Sequence, residues 1–407
     1  MDDPLEVRLH GLEPGVSVRI RASLKDDHNL TWQSEATFVA DKTGVVDVAT
    51  AIPIDGAWAE PDPYGLLWSM RPITGQLTYD GALTGSLRPL VVTLTALLNG
   101  EAAAQIQLER RFTAEGVRCS EWRDKDLVAN LFLPAGDGPW DATLVLDGAA
   151  GGFIWANEVA ALLASRGRAA LAIAYFDWRG RYGLPTSITE IPLEYFRGAI
   201  ERLQAHPQVR LEDLAAVGIS KGAELVLLLA STYPQIRRVV AQGPSSYVWE
   251  AVRMDATATR SAWTLDQRPL PYATFAADDE FYRTLDKTLL LPFHERALRN
   301  PEALLPARIR VENIEAQTLL VSIAKDTLWP STLMGEQIVK TLHEAGKARL
   351  VTHLVIECRH HALCPPGLPT NSIDDDPAVN ARGELQSWTA TLAYLGLKPP
   401  STVRMPK

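Results

Sequence analysis

The sequence predicts an α/β fold, a parallel sheet covered by helices on both faces, preceded by an all-β domain. Three observations carry the prediction. From residue 5 to about 112 the chain is a series of short alternating runs separated by turn residues. Beyond residue 116 continuous apolar runs alternate with helix-like runs. Between two of these, "AAVGISKGAELVLLLAS" (215–231) sets a Gly-x-Ser-x-Gly where a strand-like run meets a helix-like one.

The first region contains "SVRIRASL", "WQSEATFVA", "LVVTLTALLNG" and "AAAQIQLERRF", divided by "LEPG", "DKTG" and "DGALTG". Several short strands with turns between them and no convincing helix predict an antiparallel, immunoglobulin-like sandwich over residues 1–115. It holds no cluster of His, Cys or carboxylates that would mark a site, and Trp68 reads as core.

Residues 116–407 follow a different grammar. Strand-like runs at 142–150, 169–176, 214–219, 238–243, 318–324 and 352–357 alternate with helix-like runs at 156–167, 192–207, after Ser220, 331–346 and 384–396. Buried strands separated by helices imply a parallel sheet. The interval 245–312 breaks this rhythm, and an insertion after a strand's C-terminal end overlies the ligand crevice of such a sheet. It is read as a possible cap.

Composition sets bounds. The chain has 407 residues, 46% hydrophobic and 22% charged, as expected of a globular protein of more than one domain. Its net charge of -9 argues against nucleic acid as a partner, because phosphate neutralisation needs clustered Lys and Arg. Cys119, Cys358 and Cys364 lack the spacing of a zinc site or a disulfide framework. No run approaches the roughly 20 apolar residues of a membrane span, and "MDDPLEVRLHGLEPG" has no apolar h-region. A cytoplasmic protein with no membrane partner is the expectation.

Gly218-Ile219-Ser220-Lys221-Gly222 has the context of a nucleophile elbow: a sharp turn exposes the serine, and small neighbours let strand and helix approach. A serine hydroxyl needs a base, and the base needs an orienting acid. In this arrangement the order along the chain is Ser, Asp or Glu, then His. Asp326, just past the run "TLLVSIA", is the expected acid. Its rivals Asp278, Asp279 and Glu280 read as solvated charge, and Asp374–Asp376 as an acidic loop. For the base, "CRHHALCPPG" offers His361 or His360, with His353 a weaker third. The oxyanion hole should take the backbone N–H of Lys221 at a helix N-terminus. Its second donor should come from the Gly-rich loop "LDGAAGGFIW", through Gly151 or Gly152. Arg179, Arg181 and the Lys221 side chain are basic groups near the expected mouth.

The chain resembles the acyl-CoA thioesterase and bile acid-CoA:amino acid N-acyltransferase family. The resemblance rests on "PYGLLWSM", "LERRFTAEGV", "LFLPAGDGP", "ALAIAYF", "PLEYFRGAIERLQAHPQV", "GISKGAELVLLLAS" and "CRHHALCPP". It implies an N-terminal β-sandwich followed by an α/β-hydrolase domain. Counting back from Pro365-Pro366, it also aligns the family's histidine with His361, and the second Asp of its Gly-x-Asp-Asp with Asp326. The chain departs from the pattern with "IAKD" and with His360 where the family has glycine. Ser220 resembles the hydrolase branch, since the amino-acid-conjugating branch uses cysteine.

The activity implied is that of a serine hydrolase acting on a small-molecule acyl thioester, with no metal or redox cofactor. The alternatives are transfer of the acyl group from coenzyme A or a carrier protein to an amine or alcohol, a general esterase, or a binding protein on a disabled hydrolase fold.

Overall fold

A computed structural model describes residues 1–73, 85–252, 259–274, 290–370 and 376–400. The chain divides into two compact units, Met1–Ala114 with Cys364–Ala393, and Glu115–Leu363 with Tyr394–Leu397.

In the first unit β1 (Arg8–Leu9) pairs with β4 (Val46–Asp47). A five-stranded antiparallel sheet takes β2 (Ser17–Lys25), β3 (Thr31–Val39), β5 (Arg71–Pro72), β6 (Leu90–Leu98) and β7 (Glu101–Arg110) in the order β5-β3-β2-β6-β7. Alternation builds it: Val18, Ile20, Ala22 and Leu24 of β2 are buried while most intervening residues face water. The run containing Trp68, expected to be core, is a short buried helix, α1 (Gly65–Trp68). Gly65 is required there, since a Cβ would fall 2.3 Å from the Trp58 ring.

The second unit is built on an eight-stranded sheet. Two strands not separated out in the sequence open it: β8 (Arg118–Arg123) and β9 (Val128–Leu133) run antiparallel to each other, and β9 antiparallel to β11 (Ala169–Ala174). The remaining strands are β10 (Trp140–Leu146), β13 (Val209–Ile219), β14 (Arg238–Gln242), β17 (Gln317–Ile323) and β18 (Val351–Ile356), and their pairs with one another and with β11 are parallel. The order is β18-β17-β14-β13-β10-β11-β9-β8. A short side sheet joins β12 (Ile191–Pro192) to β15 (Trp263–Leu265) and β16 (Arg268–Pro269).

Helices α2 (Ile154–Ser165), α3 (Leu193–Gln204), α4 (Lys221–Thr232) and α7 (Ser331–Glu344) are the crossovers, with α5 (Leu290–Leu298) and α6 (Pro301–Leu304) inside the insertion between β14 and β17. Strands β10, β11, β13 and β14 read as apolar runs because both faces are covered; Leu144, Leu171, Val217 and Val240 have no exposed surface.

The C-terminal segment differs from the expected boundary, which placed all of 116–407 in the α/β domain. Cys364–Ala393, carrying most of α8 (Pro377–Tyr394), belongs to the first unit. Trp388 donates from Nε1 to Asp2 at 2.7 Å, and the Thr370 amide donates to the Trp68 carbonyl at 3.1 Å. Asp376 accepts from the Val379 amide and caps α8. Asp278, Asp279, Glu280, Asp374 and Asp375 lie outside the described residues.

Candidate active site

Ser220 joins the end of β13 to the start of α4 at φ 58°, ψ -122°, a conformation L-residues rarely adopt. Its neighbours explain how the turn is held. A Cβ at Gly218 would lie 2.2 Å from the Gly222 carbonyl oxygen, and one at Gly222 would lie 2.3 Å from the carbonyl oxygen of Leu146. Backbone meets backbone at both points, so no side chain can give way. The Ser220 amide donates to the Gln242 carbonyl at 2.9 Å, tying the elbow to the end of β14.

Asp326 follows β17 and His361 follows β18, and the structure brings them together. His361 Nδ1 lies 2.8 Å from Asp326 Oδ1, with both residues buried. The same oxygen accepts the amides of Leu328 at 3.0 Å and Trp329 at 3.3 Å. Burial alone would raise the Asp326 carboxyl, but His361, the Leu328 amide and the Ser331 hydroxyl outweigh it and hold the group below its ordinary value. An ionised carboxylate only accepts, so Nδ1–H is the donor, and in the neutral ring Nε2 keeps its lone pair. Among the described residues His361 Nε2, which is buried, has no hydrogen-bond partner, and none is found for the Ser220 hydroxyl. The Ser220 amide bonds to Gln242, and a Cβ at the next residue, Gly243, would touch His361 Cε1 at 3.3 Å.

The other two histidines take different positions. His353 is hydrogen-bonded to Ser322 Oγ at 2.8 Å across β17 and β18, and the His360 carbonyl accepts from the Cys358 thiol.

The Gly-rich loop after β10 approaches the nucleophile closely. A Cβ at Gly148 would sit 2.9 Å from Ser220 Cβ. Asp147, which the sequence reading missed, anchors the loop: Oδ1 accepts from Gly148, and Oδ2 from Trp155 and Ala156 at the start of α2. Trp178 Nε1 donates to the Ala149 carbonyl at 2.8 Å. Of the two expected donors, the Gly152 amide donates to the Phe176 carbonyl at 2.9 Å. The amide of Gly151 makes no hydrogen bond among the described residues. Lys221 is the first residue of α4, so its N–H has no partner within the helix.

The Lys221 side chain does not reach a mouth. Nζ is buried 2.8 Å from both carboxylate oxygens of Glu224 and 5.4 Å from the centre of the Trp263 ring. Burial lowers the Lys221 ammonium pKa and raises that of the Glu224 carboxyl, each opposed by the partner's charge. Glu224 also accepts Trp263 Nε1 at 2.6 Å and the Trp249 amide at 3.4 Å, fastening the insertion to α4. Arg181 is held by Asp177, with 2.6 Å between NH2 and Oδ2, while Arg179 is exposed.

Aromatic rings continue from the histidine into the insertion. The Trp329 ring stands edge-on to His361 at 5.4 Å, His294 to Trp329 at 5.8 Å, and Trp249 to His294 at 4.5 Å. Burial pushes His294 down to about 4, keeping it neutral near pH 7.

The sequence profile of the acyl-CoA thioester hydrolase/BAAT N-terminal region matches residues 2–124, and that of the BAAT/acyl-CoA thioester hydrolase C terminal matches 191–385. "Acyl-coenzyme A thioesterase 2, mitochondrial" of Rattus norvegicus is 30% identical over 95% of this chain and 84% of its own length. The chain belongs to this family. Other members at similar distance are the acyl-coenzyme A thioesterase 1 of Rattus norvegicus, 29% identical over 95% of this chain and 91% of its own, and the peroxisomal succinyl-coenzyme A thioesterase of Mus musculus, 26% identical over 98% and 94%. Among solved structures, the Pyrococcus horikoshii acylaminoacyl peptidase aligns at 14% identity and TM-score 0.45 over 92% of this chain and 56% of that one. The second unit has an α/β fold, an eight-stranded, mainly parallel sheet with helical crossovers. No helix among the described residues is long and apolar enough to cross a membrane.

Proposed function

We propose that this chain hydrolyses acyl-CoA thioesters through a covalent acyl-enzyme on Ser220. The observation that carries the reading is a buried imidazole held by Asp326 so that its free nitrogen is Nε2, in a unit that also carries a serine at a strained strand-to-helix elbow. His361 takes the hydroxyl proton as Ser220 attacks the thioester carbonyl. The developing oxyanion accepts from the amides of Lys221 and Gly151, at the positive end of α4. His361 then gives its proton to the leaving thiol, and repeats the cycle with water to release the acid. Asp326 keeps the ring in the working tautomer throughout. The residues named supply every group these steps require.

The test is intact-protein mass spectrometry after brief exposure to a panel of acyl-CoA thioesters, with free thiol followed in parallel and Ser220→Ala beside the native chain. A transient adduct with thiol release, both missing in the alanine protein, is the expected outcome. An adduct stable in water would replace hydrolysis by transfer to an amine or alcohol. No adduct and no thiol release across the panel would reject the assignment to coenzyme A thioesters.

A further inference from the structure

Trp329 follows the catalytic-type turn at Asp326 and was given no role by the sequence. The residue is 4% exposed, yet its indole Nε1–H has no hydrogen-bond partner among the described residues. Nearly all buried polar groups in folded proteins are bonded, so a buried donor without a partner calls for an explanation. Its location supplies one. The point a Gly243 Cβ would occupy is 3.3 Å from His361 Cε1 and 3.7 Å from Trp329 Nε1, and these side chains supply its three nearest atoms. Gly243, at φ 63°, therefore lets the backbone lie close against the imidazole edge and the indole N–H, where a Cβ would crowd His361. His361 Nε2, attached to that Cε1, is also buried without a partner.

We propose that Trp329 is a substrate-binding residue whose indole N–H donates to the first amide carbonyl of the pantetheine arm of a coenzyme A thioester. This rests on the thioesterase reading above. There, the acyl carbonyl oxygen is taken by the amides of Lys221 and Gly151, and His361 faces the departing sulfur. A donor on the histidine side then meets the leaving group. The nearest acceptor in that group is the amide carbonyl reached through the two methylenes that follow sulfur. The edge-on packing against His361 at 5.4 Å fixes the indole so that its N–H stays in place with the site empty.

Trp329→Phe keeps an aromatic ring and removes the donor. With an acyl-CoA substrate, kcat/KM should fall about 3- to 10-fold, the size of one neutral hydrogen bond. The fall should appear in KM, because the bond is made equally in ground and transition states. With the S-ethyl thioester of the same acid, which has no amide, kcat/KM should be unchanged. Equal losses on both substrates would mean that Trp329 only shapes His361, and no loss on either would mean that the N–H serves no substrate atom; both overturn the assignment. A comparison within the native enzyme needs no variant. The N-acetylcysteamine thioester, which carries this amide, should be preferred over the matching alkyl thioester by a similar factor, and equal rates overturn the proposal. Failure of the underlying reading is distinguishable: native protein would then turn over none of these thioesters, whereas an error about Trp329 leaves native turnover intact.

Discussion

Asp326 works at the residue scale through one oxygen that accepts two amides and one imidazole. Because its folded pKa is depressed, it adds stability above the unfolded aspartate value of about 4, and that stability is lost as pH falls through the lower folded value. Asp326→Asn should therefore show its full stability deficit near neutral pH, with the gap to native protein closing in acid, as read by denaturant melts across pH. Its kcat should fall by about 10⁴, since an amide no longer selects the Nδ1–H tautomer. Ser220, Asp326 and His361 stood out in the sequence because each ends a readable strand, and the doubled histidine needed the family's Pro-Pro spacing. The fate of the Gly152 amide was hidden, since its acceptor is the carbonyl of Phe176, far along the chain. Trp329 was hidden too: a tryptophan three residues past the acid reads as core until its indole nitrogen is seen to lack a partner.

At the scale of elements, the helix that follows Ser220 is joined to the insertion by a buried charge. Glu224 holds Lys221 within the first turn of α4 and also receives Trp263 and Trp249. Removing one member of a buried pair leaves the other uncompensated, which typically costs about 3–5 kcal/mol. Glu224→Leu should lose stability on that order, and adding Lys221→Met should recover part of it despite removing more native contacts. Urea unfolding of the single and double variants checks this; a double variant no more stable than Glu224→Leu would mean that the stranded ammonium is not the cost. The sequence placed Lys221 at the mouth because periodicity alone does not reveal which neighbours close over a helix's first turn. It did locate the parallel strands and crossover helices to within a few residues, because buried runs and amphipathic runs differ in period. Strands β8 and β9 escaped because they pair antiparallel ahead of the repeating pattern.

For the whole molecule, the change of grammar near residue 115 marked the passage between two kinds of sheet, whereas the grouping of Cys364–Ala393 with the first unit depends on contacts such as Trp388 with Asp2. No local pattern announces a contact made across so much chain. The net charge of -9 bears on the proposed substrate, because coenzyme A is itself a polyanion. Long-range repulsion slows encounter and is screened over about 8 Å at physiological ionic strength. Raising salt from a few millimolar should accordingly increase kcat/KM for an acyl-CoA and leave an uncharged thioester unaffected; an opposite slope would point to a local cationic guide. Finally, the backbone at residue 220 sets two kinds of selection against each other. Glycine would occupy φ 58°, ψ -122° at little steric cost, while serine holds it at about 1–3 kcal/mol. Ser220→Gly should therefore relieve the strain of this turn and raise the denaturation midpoint while removing the hydroxyl.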